Sequence, residues 1–153
     1  MHSFFKFIFK DRADATQQLI DVLPISSMQL EKWVVLAISP GAIQIASTIA
    51  KVLGAKLDYL FTHKIFTSKN QECEIAIVTE TQEVVIHEEL MRSFNLDIQT
   101  IYRESNEKYD TILKQYKKQY RQNKDIASMQ DANVLLVDEG LNTGLTMMAC
   151  IKS

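Results

Sequence analysis

The chain predicts an α/β fold: a mainly parallel, twisted sheet with helices on both faces and a small inserted lobe. Three observations carry that prediction. Val134 to Val137, V-L-L-V, is an unbroken apolar run, the pattern of a strand buried on both faces of a parallel sheet. Trp33 to Ile38, W-V-V-L-A-I, is a second run of the same kind. Each run passes through a glycine-containing turn into a segment with helical apolar spacing, so strand, turn and helix recur in the order that builds parallel sheets.

The elements follow in chain order. Phe4, Phe5, Phe7, Ile8 and Phe9 form an apolar string interrupted by Lys6, too short to span a bilayer and lacking a cleavage-site pattern, so it reads as core packing rather than a targeting segment. Phe9, Ala15, Leu19, Ile20 and Leu23 then fall near helical spacing up to Pro24. After the Trp33 strand, Ser39, Pro40 and Gly41 make a tight turn. A helix follows from Ala42 to Leu53, closed by Gly54 as its C-cap. Ala55 to Phe66 is β-rich and reads as the next strand, and Thr67 to Cys73 is polar and reads as a mobile loop. Glu74 to Glu80 and Val84 to Ile86 read as a strand pair, and His87, Glu88 and Glu89 open a helical segment whose acids suit its N-terminal end.

Asp97 to Lys124 contains neither glycine nor proline and is the most helical stretch of the chain. Tyr102, Tyr109, Leu113, Tyr116 and Tyr120 recur at spacings that make one apolar stripe, while Lys114, Lys117, Lys118, Arg121 and Lys124 make a solvated, basic end. Aromatic residues among lysines also occur in single-strand nucleic-acid binding. Because the two sets lie largely on different faces, a core stripe is the preferred reading. The final helix, M-M-A-C-I-K-S, has barely begun when the sequence stops at Ser153. A sheet built around the Val134 strand would continue further, so the expectation is a single domain over residues 1–153, incomplete at its C-terminus.

Composition narrows the function classes. The 153 residues are 46% hydrophobic and 24% charged, with formal net charge -2, an ordinary globular balance that gives no reason to expect nucleic-acid or membrane attraction. The two cysteines, Cys73 and Cys150, form no C-x-x-C and have no histidine at ligand spacing, so a cytoplasmic setting without a zinc site or disulfide framework is expected. An apolar strand ending in Asp-Glu also occurs in NTPases. The four glycines, at 41, 54, 140 and 144, provide neither G-x-x-x-x-G-K-[ST] nor G-x-G-x-x-G, so nucleotide-triphosphate and dinucleotide folds lack support.

The chemistry concentrates after the Val134 strand. Asp138 and Glu139 stand at its carboxyl end, where ligands bind in open α/β sheets. Gly140, Leu141, Asn142, Thr143, Gly144 and Thr146 follow, supplying permissive backbone, amides and hydroxyls ahead of a helix start, a combination able to wrap a phosphate. The whole stretch, V-L-L-V-D-E-G-L-N-T-G-L-T, resembles the 5-phosphoribosyl-1-pyrophosphate (PRPP) binding motif of the type I phosphoribosyltransferases. Four apolar residues, two acids, a variable pair, a small or hydroxyl residue and T-G-x-T appear in that order.

The resemblance implies a Rossmann-like phosphoribosyltransferase fold in which Asp138 and Glu139 bind the ribose hydroxyls. It implies that Gly140, Leu141, Asn142, Thr143, Gly144 and Thr146 hold the 5'-phosphate. It further implies Mg2+ bound through substrate and water, and a small-molecule acceptor. The opening F-K-D-R-A-D-A is similar to the F-x-D-R-x-x-A start of one branch of the family, although Asp11 and Arg12 taken alone read as a first-turn acid and a surface base. In that branch the first turn often reads P-R-G-G and cradles pyrophosphate. Here S-P-G-A keeps the glycine and lacks the arginine, leaving Pro40 and Gly41, with Lys64 further on, as the pyrophosphate residues. His63 stands where an arginine is usual, and the segment around Glu74 to Ile86 corresponds to the hood that governs acceptor choice. The expected activity is transfer of a phosphoribosyl group from PRPP with release of pyrophosphate. The alternative is a phosphoribosyl-binding regulatory module without chemistry, and the acceptor and any homo-oligomer are left open.

Overall fold

A computed structural model describes residues 9–68 and 70–153, so most of the N-terminal apolar string lies outside the described residues. Two three-stranded sheets organise the chain. The first is fully parallel, with β1 (Trp33–Ala37) between β2 (Lys56–Tyr59) and β6 (Asn133–Val137). In register, Trp33 to Ala37 lie beside Asn133 to Val137, and Val34 to Ala37 lie beside Lys56 to Tyr59. The α/β class with helices flanking a parallel sheet is therefore present.

β1 is the buried centre, with Val34 to Ile38 each no more than 1% exposed. β6 differs from expectation. It is an edge strand among the described residues, and Val134 is 37% exposed. An unbroken apolar run reports affinity for a sheet interior, but whether both flanks are covered depends on neighbours contributed from elsewhere.

The helix after β1 forms as a 3₁₀ turn, Pro40–Ala42, running directly into α3 (Ile43–Leu53). Ile45, Ala46, Ile49, Ala50 and Leu53 make its buried face against Val35, Ala37 and Val137. Complete burial of each larger side chain there contributes about 1.5–3 kcal/mol. Gly54 ends α3 at φ 64°, a left-handed conformation in which Ala55 N–H donates to the Ala50 carbonyl at 2.9 Å. On the opposite face, Cys150 and Met147 of α7 (Leu145–Lys152) pack with Ile38, Leu60 and Leu136. α1 (Arg12–Val22), capped by the Asp11 carboxylate on Asp14 N–H, and the short α2 (Ile25–Met28) pack outside α3.

The second sheet is antiparallel: β3 (Thr62–Thr67), β4 (Asn70–Thr79) and β5 (Val84–Ile86), with β4 central. Two expectations are corrected here. The β-rich run from Ala55 to Phe66 is two strands, because the chain leaves the parallel sheet at Leu60 and Phe61 and enters the other. The polar segment expected to be a loop is mostly strand, with Asn70 to Cys73 extending β4. Alternating polar residues suit a strand with one wet face, which composition alone does not distinguish from a loop.

α4 (Glu88–Ser93) is capped by His87, whose Nδ1 accepts from Leu90 N–H. The long helical stretch is α5 (Ile98–Lys108), a π-helical segment at Tyr109–Leu113, and α6 (Lys114–Arg121). The expected single tyrosine stripe is overturned. Ile101, Ser105 and Leu113 are the buried positions, whereas Tyr102, Tyr116 and Tyr120 are 43%, 37% and 64% exposed. The π segment inserts one residue into the helical turn and so rotates everything after it by about 100°.

Candidate functional site

The site is built where β1 and β6 end together. Ile38 N–H donates to the Val137 carbonyl at 3.1 Å, which brings Ser39 and Asp138 out of the sheet side by side. Ser39 Oγ lies 2.6 Å from Asp138 Oδ1 and in contact with Glu139 Oε2. One hydroxyl has one proton, so the serine donates to one carboxylate at a time and the two acids compete for it. Asp138 Oδ1 also accepts from Glu139 N–H at 2.9 Å. The hydrogen bond from Ser39 is the largest influence on the Glu139 carboxyl and holds its pKa below the usual value, with the field of Arg12 acting in the same direction.

Gly41 completes this contact. A Cβ at that position would stand 2.6 Å from Glu139 Cδ and 2.7 Å from each carboxylate oxygen, so the acid occupies space that only glycine leaves. The resemblance assigns the Pro40–Ala42 turn to pyrophosphate, held through its amides. Proline has no N–H, and Ala42 N–H already donates to the Ser39 carbonyl at 3.1 Å. Gly41 is therefore the single residue of this turn whose amide is left to offer.

The loop from Gly140 to Gly144 leads to α7 without a side-chain cap. Gly144 sits at φ 79°, where a side chain is disfavoured, and Thr143 Oγ1 accepts from Leu145 N–H at 3.3 Å. At Gly140 a Cβ would meet nothing within 4 Å, so that glycine is not sterically required. A cavity of about 100 Å³ is lined by Asp138, Gly140, Leu141, Asn142, Thr143, Gly144 and Thr146, with Lys64 and Glu74 opposite. The acid pair and the phosphate-loop residues named from the sequence thus share one place. Asp138 and Glu139 also border a second cavity of about 340 Å³ beside Leu135 and Leu141.

Lys64 faces the phosphate loop rather than the Pro40 turn, and its Nζ pairs with Glu74 at 2.8 Å. His63, its neighbour on β3, is half-buried; burial lowers its pKa and the Lys108 charge on α5 adds to the effect. Strand alternation separates the two side chains, so they do not act as a joint cationic pair.

Three participants are not evident from the sequence. Ser39 and Arg12 act on Glu139, and only the D-R resemblance hints at the second. Tyr59 at the end of β2 has its hydroxyl pKa pushed up to about 12 by burial and by the charges of Glu139 and Asp138. Burial likewise raises the Cys150 thiol to about 12, with Asp138 contributing. Arg121, expected on a solvated helix end, is instead largely buried and paired with Glu80. No group of three or more His, Cys, Asp or Glu side chains able to hold a metal occurs among the described residues, and no helix there is long and apolar enough to cross a membrane.

The comparisons agree with this architecture. Residues 8–152 match the family model described as the phosphoribosyl transferase domain. The chain is 27% identical over 146 residues to the Mycobacterium tuberculosis proteins named Putative phosphoribosyl transferase Rv0571c and Putative phosphoribosyl transferase MT0597, covering 95% of this chain and 32% of each relative. It thus spans about a third of the length of those relatives. The crystal structure of TT1426 from Thermus thermophilus superposes with a TM-score of 0.69 at 29% identity, covering 95% of this chain and 67% of that one. The chain therefore belongs to the phosphoribosyl transferase domain family.

Proposed function

We propose that the domain binds PRPP at the β6–α7 junction and transfers its phosphoribosyl group to a small-molecule acceptor, releasing pyrophosphate. One observation carries the proposal: Asp138 and the loop leading to the uncapped start of α7 line the same cavity. A dianionic phosphate is stabilised by converging amides and the positive end of a helix dipole. Vicinal ribose hydroxyls donate to carboxylates, and the Asp138–Glu139 pair supplies acceptors next to that loop. Lys64 across the cavity adds a cation once released from Glu74.

Two adjacent carboxylates without a third protein ligand fit Mg2+ held mainly by substrate oxygens and water. Bound there, the ion would offset phosphate charge. The protein's own work is positioning: Asp138 and Glu139 fix the sugar, the loop fixes its 5' end, and the Gly41 amide faces the leaving group. Ser39 keeps Glu139 ionised and therefore able to accept.

Calorimetry with PRPP and magnesium tests the assignment. Asp138→Asn with Glu139→Gln should weaken binding at least tenfold, since hydrogen bonds to charged groups contribute about 1.5–3 kcal/mol each, while circular dichroism stays unchanged. Equal affinity in the double variant would remove the ribose assignment. Pyrophosphate release across a panel of acceptors then separates transfer from binding alone, the outcome expected of a regulatory module.

A further inference from the structure

The largest cavity lies on the other side of the Pro40 turn, and the reading above makes no use of it. It measures about 560 Å³, within the roughly 300–1,000 Å³ of small-molecule pockets. Pro40, Tyr59, Phe61, Tyr116, Tyr120 and Arg121 are among its walls. The rings form a connected group: Tyr59 to Phe61 at 5.2 Å between centroids, Phe61 to Tyr116 at 5.9 Å, Phe61 to Tyr120 at 6.1 Å, and Tyr116 to Tyr120 at 6.0 Å. Tyr120 nevertheless remains 64% exposed, so a ring that could cover apolar surface is left with an open face.

Arg121 supplies the polar element. Its Nη2 bonds both oxygens of Glu80, and its guanidinium carbon lies 4.6 Å from the Phe61 ring centre. Its Nε and Nη1 are buried with no hydrogen-bond partner among the described residues, an arrangement that costs free energy until an acceptor arrives. The charge balance limits what that acceptor is. Glu80 neutralises Arg121, and the remaining ionised wall residue is Asp58, whose oxygens accept from Tyr59 N–H and Ala127 N–H. An anion would meet no uncompensated positive charge.

We propose that this cavity is a binding site for an uncharged, planar heteroaromatic molecule, stacked on the Tyr116–Tyr120 pair with a ring nitrogen or carbonyl directed at Arg121. The site is separate from the phosphate loop and does not depend on the ribose assignment. Its shared wall with that loop is the Pro40 turn, whose next residue, Gly41, seats Glu139.

The test is titration of the whole chain with quinazolin-4-one, a neutral bicycle with a ring carbonyl, and with quinoline-2-carboxylate as its anionic counterpart, followed by calorimetry and by tyrosine resonances in NMR. Quinazolin-4-one should saturate one site with Kd below about 1 mM and bind more tightly than the carboxylate. Tyr120→Ala should weaken it about fivefold, as expected for loss of one aromatic contact, and Tyr120→Phe should restore it. The Asp138→Asn, Glu139→Gln variant should bind it unchanged, even if that variant no longer binds PRPP. Absence of saturable binding, equal affinity in Tyr120→Ala, or preference for the carboxylate would each overturn the proposal. So would a concentration-dependent dimer abolished by Tyr120→Ala, since a second copy would then be the occupant.

Discussion

Ser39 shows how much one hydroxyl decides at this site. It bridges two carboxylates from a position 99 residues from Asp138 and 100 from Glu139, and it is the main cause of the lowered Glu139 pKa. A carboxyl whose folded pKa is depressed stabilises the fold above its unfolded value and loses that contribution as pH falls through the folded value. Ser39→Ala should therefore move the Glu139 carboxyl upward toward its ordinary value, as read by NMR titration of its side-chain carbon, and flatten the acid limb of the stability curve. Gly41→Ala tests the same contact sterically. Its new methyl would overlap the Glu139 carboxylate, so the acid must swing away, and PRPP affinity should fall roughly tenfold while the melting temperature changes little. Asp138, Glu139 and the following loop are legible because they are contiguous and chemically unusual together. A serine beside Pro-Gly reads as an ordinary turn residue, so its partnership with the acids is not.

At the scale of elements, the π segment between α5 and α6 has the largest consequence. It turns Tyr116 and Tyr120 out of the core and swings Arg121 inward onto Glu80. Glu80 also accepts from Phe61 N–H at 2.9 Å, so the ion pair ties α6 to the corner where the chain passes between sheets. Arg121→Met should cost about 3–5 kcal/mol, because it leaves a buried carboxylate without its partner. Glu80→Gln added to that variant should recover part of the loss. Urea denaturation of the three proteins measures both effects, and equal stability of wild type and Arg121→Met would mean the pair contributes nothing. Periodicity counts residues at a fixed angle per position, so an inserted residue is invisible to it and every face assigned afterwards is displaced.

At the scale of the whole molecule, the two sheets are joined through β3 and through α7. α7 covers the parallel sheet with Cys150 and Met147, and β4–β5 with Leu145 and Ala149. His63 lies on β3 in the antiparallel half, and burial lowers its pKa. The folded state therefore resists its protonation. Stability is full above the ordinary histidine value of about 6.5 and declines as pH falls from there toward the lowered folded value. Chemical denaturation at about pH 7.5 and about pH 5.5 should show a smaller loss on acidification in His63→Gln than in wild type. An identical loss in both would place the acid sensitivity elsewhere.

Local chemistry was enough to determine the buried strand at Trp33, the α3 helix with its Gly54 cap, the Asp138–Gly144 loop and the family to which the chain belongs, because each is written in consecutive residues. Tertiary structure alone decided that β6 lies at an edge, that Ala55 to Phe66 divides between two sheets, that Arg121 is buried and that Ser39 holds the acids. Those outcomes depend on which distant segments meet. Pairwise contact across the fold is set by the summed packing of the entire chain, and no stretch of sequence contains that sum.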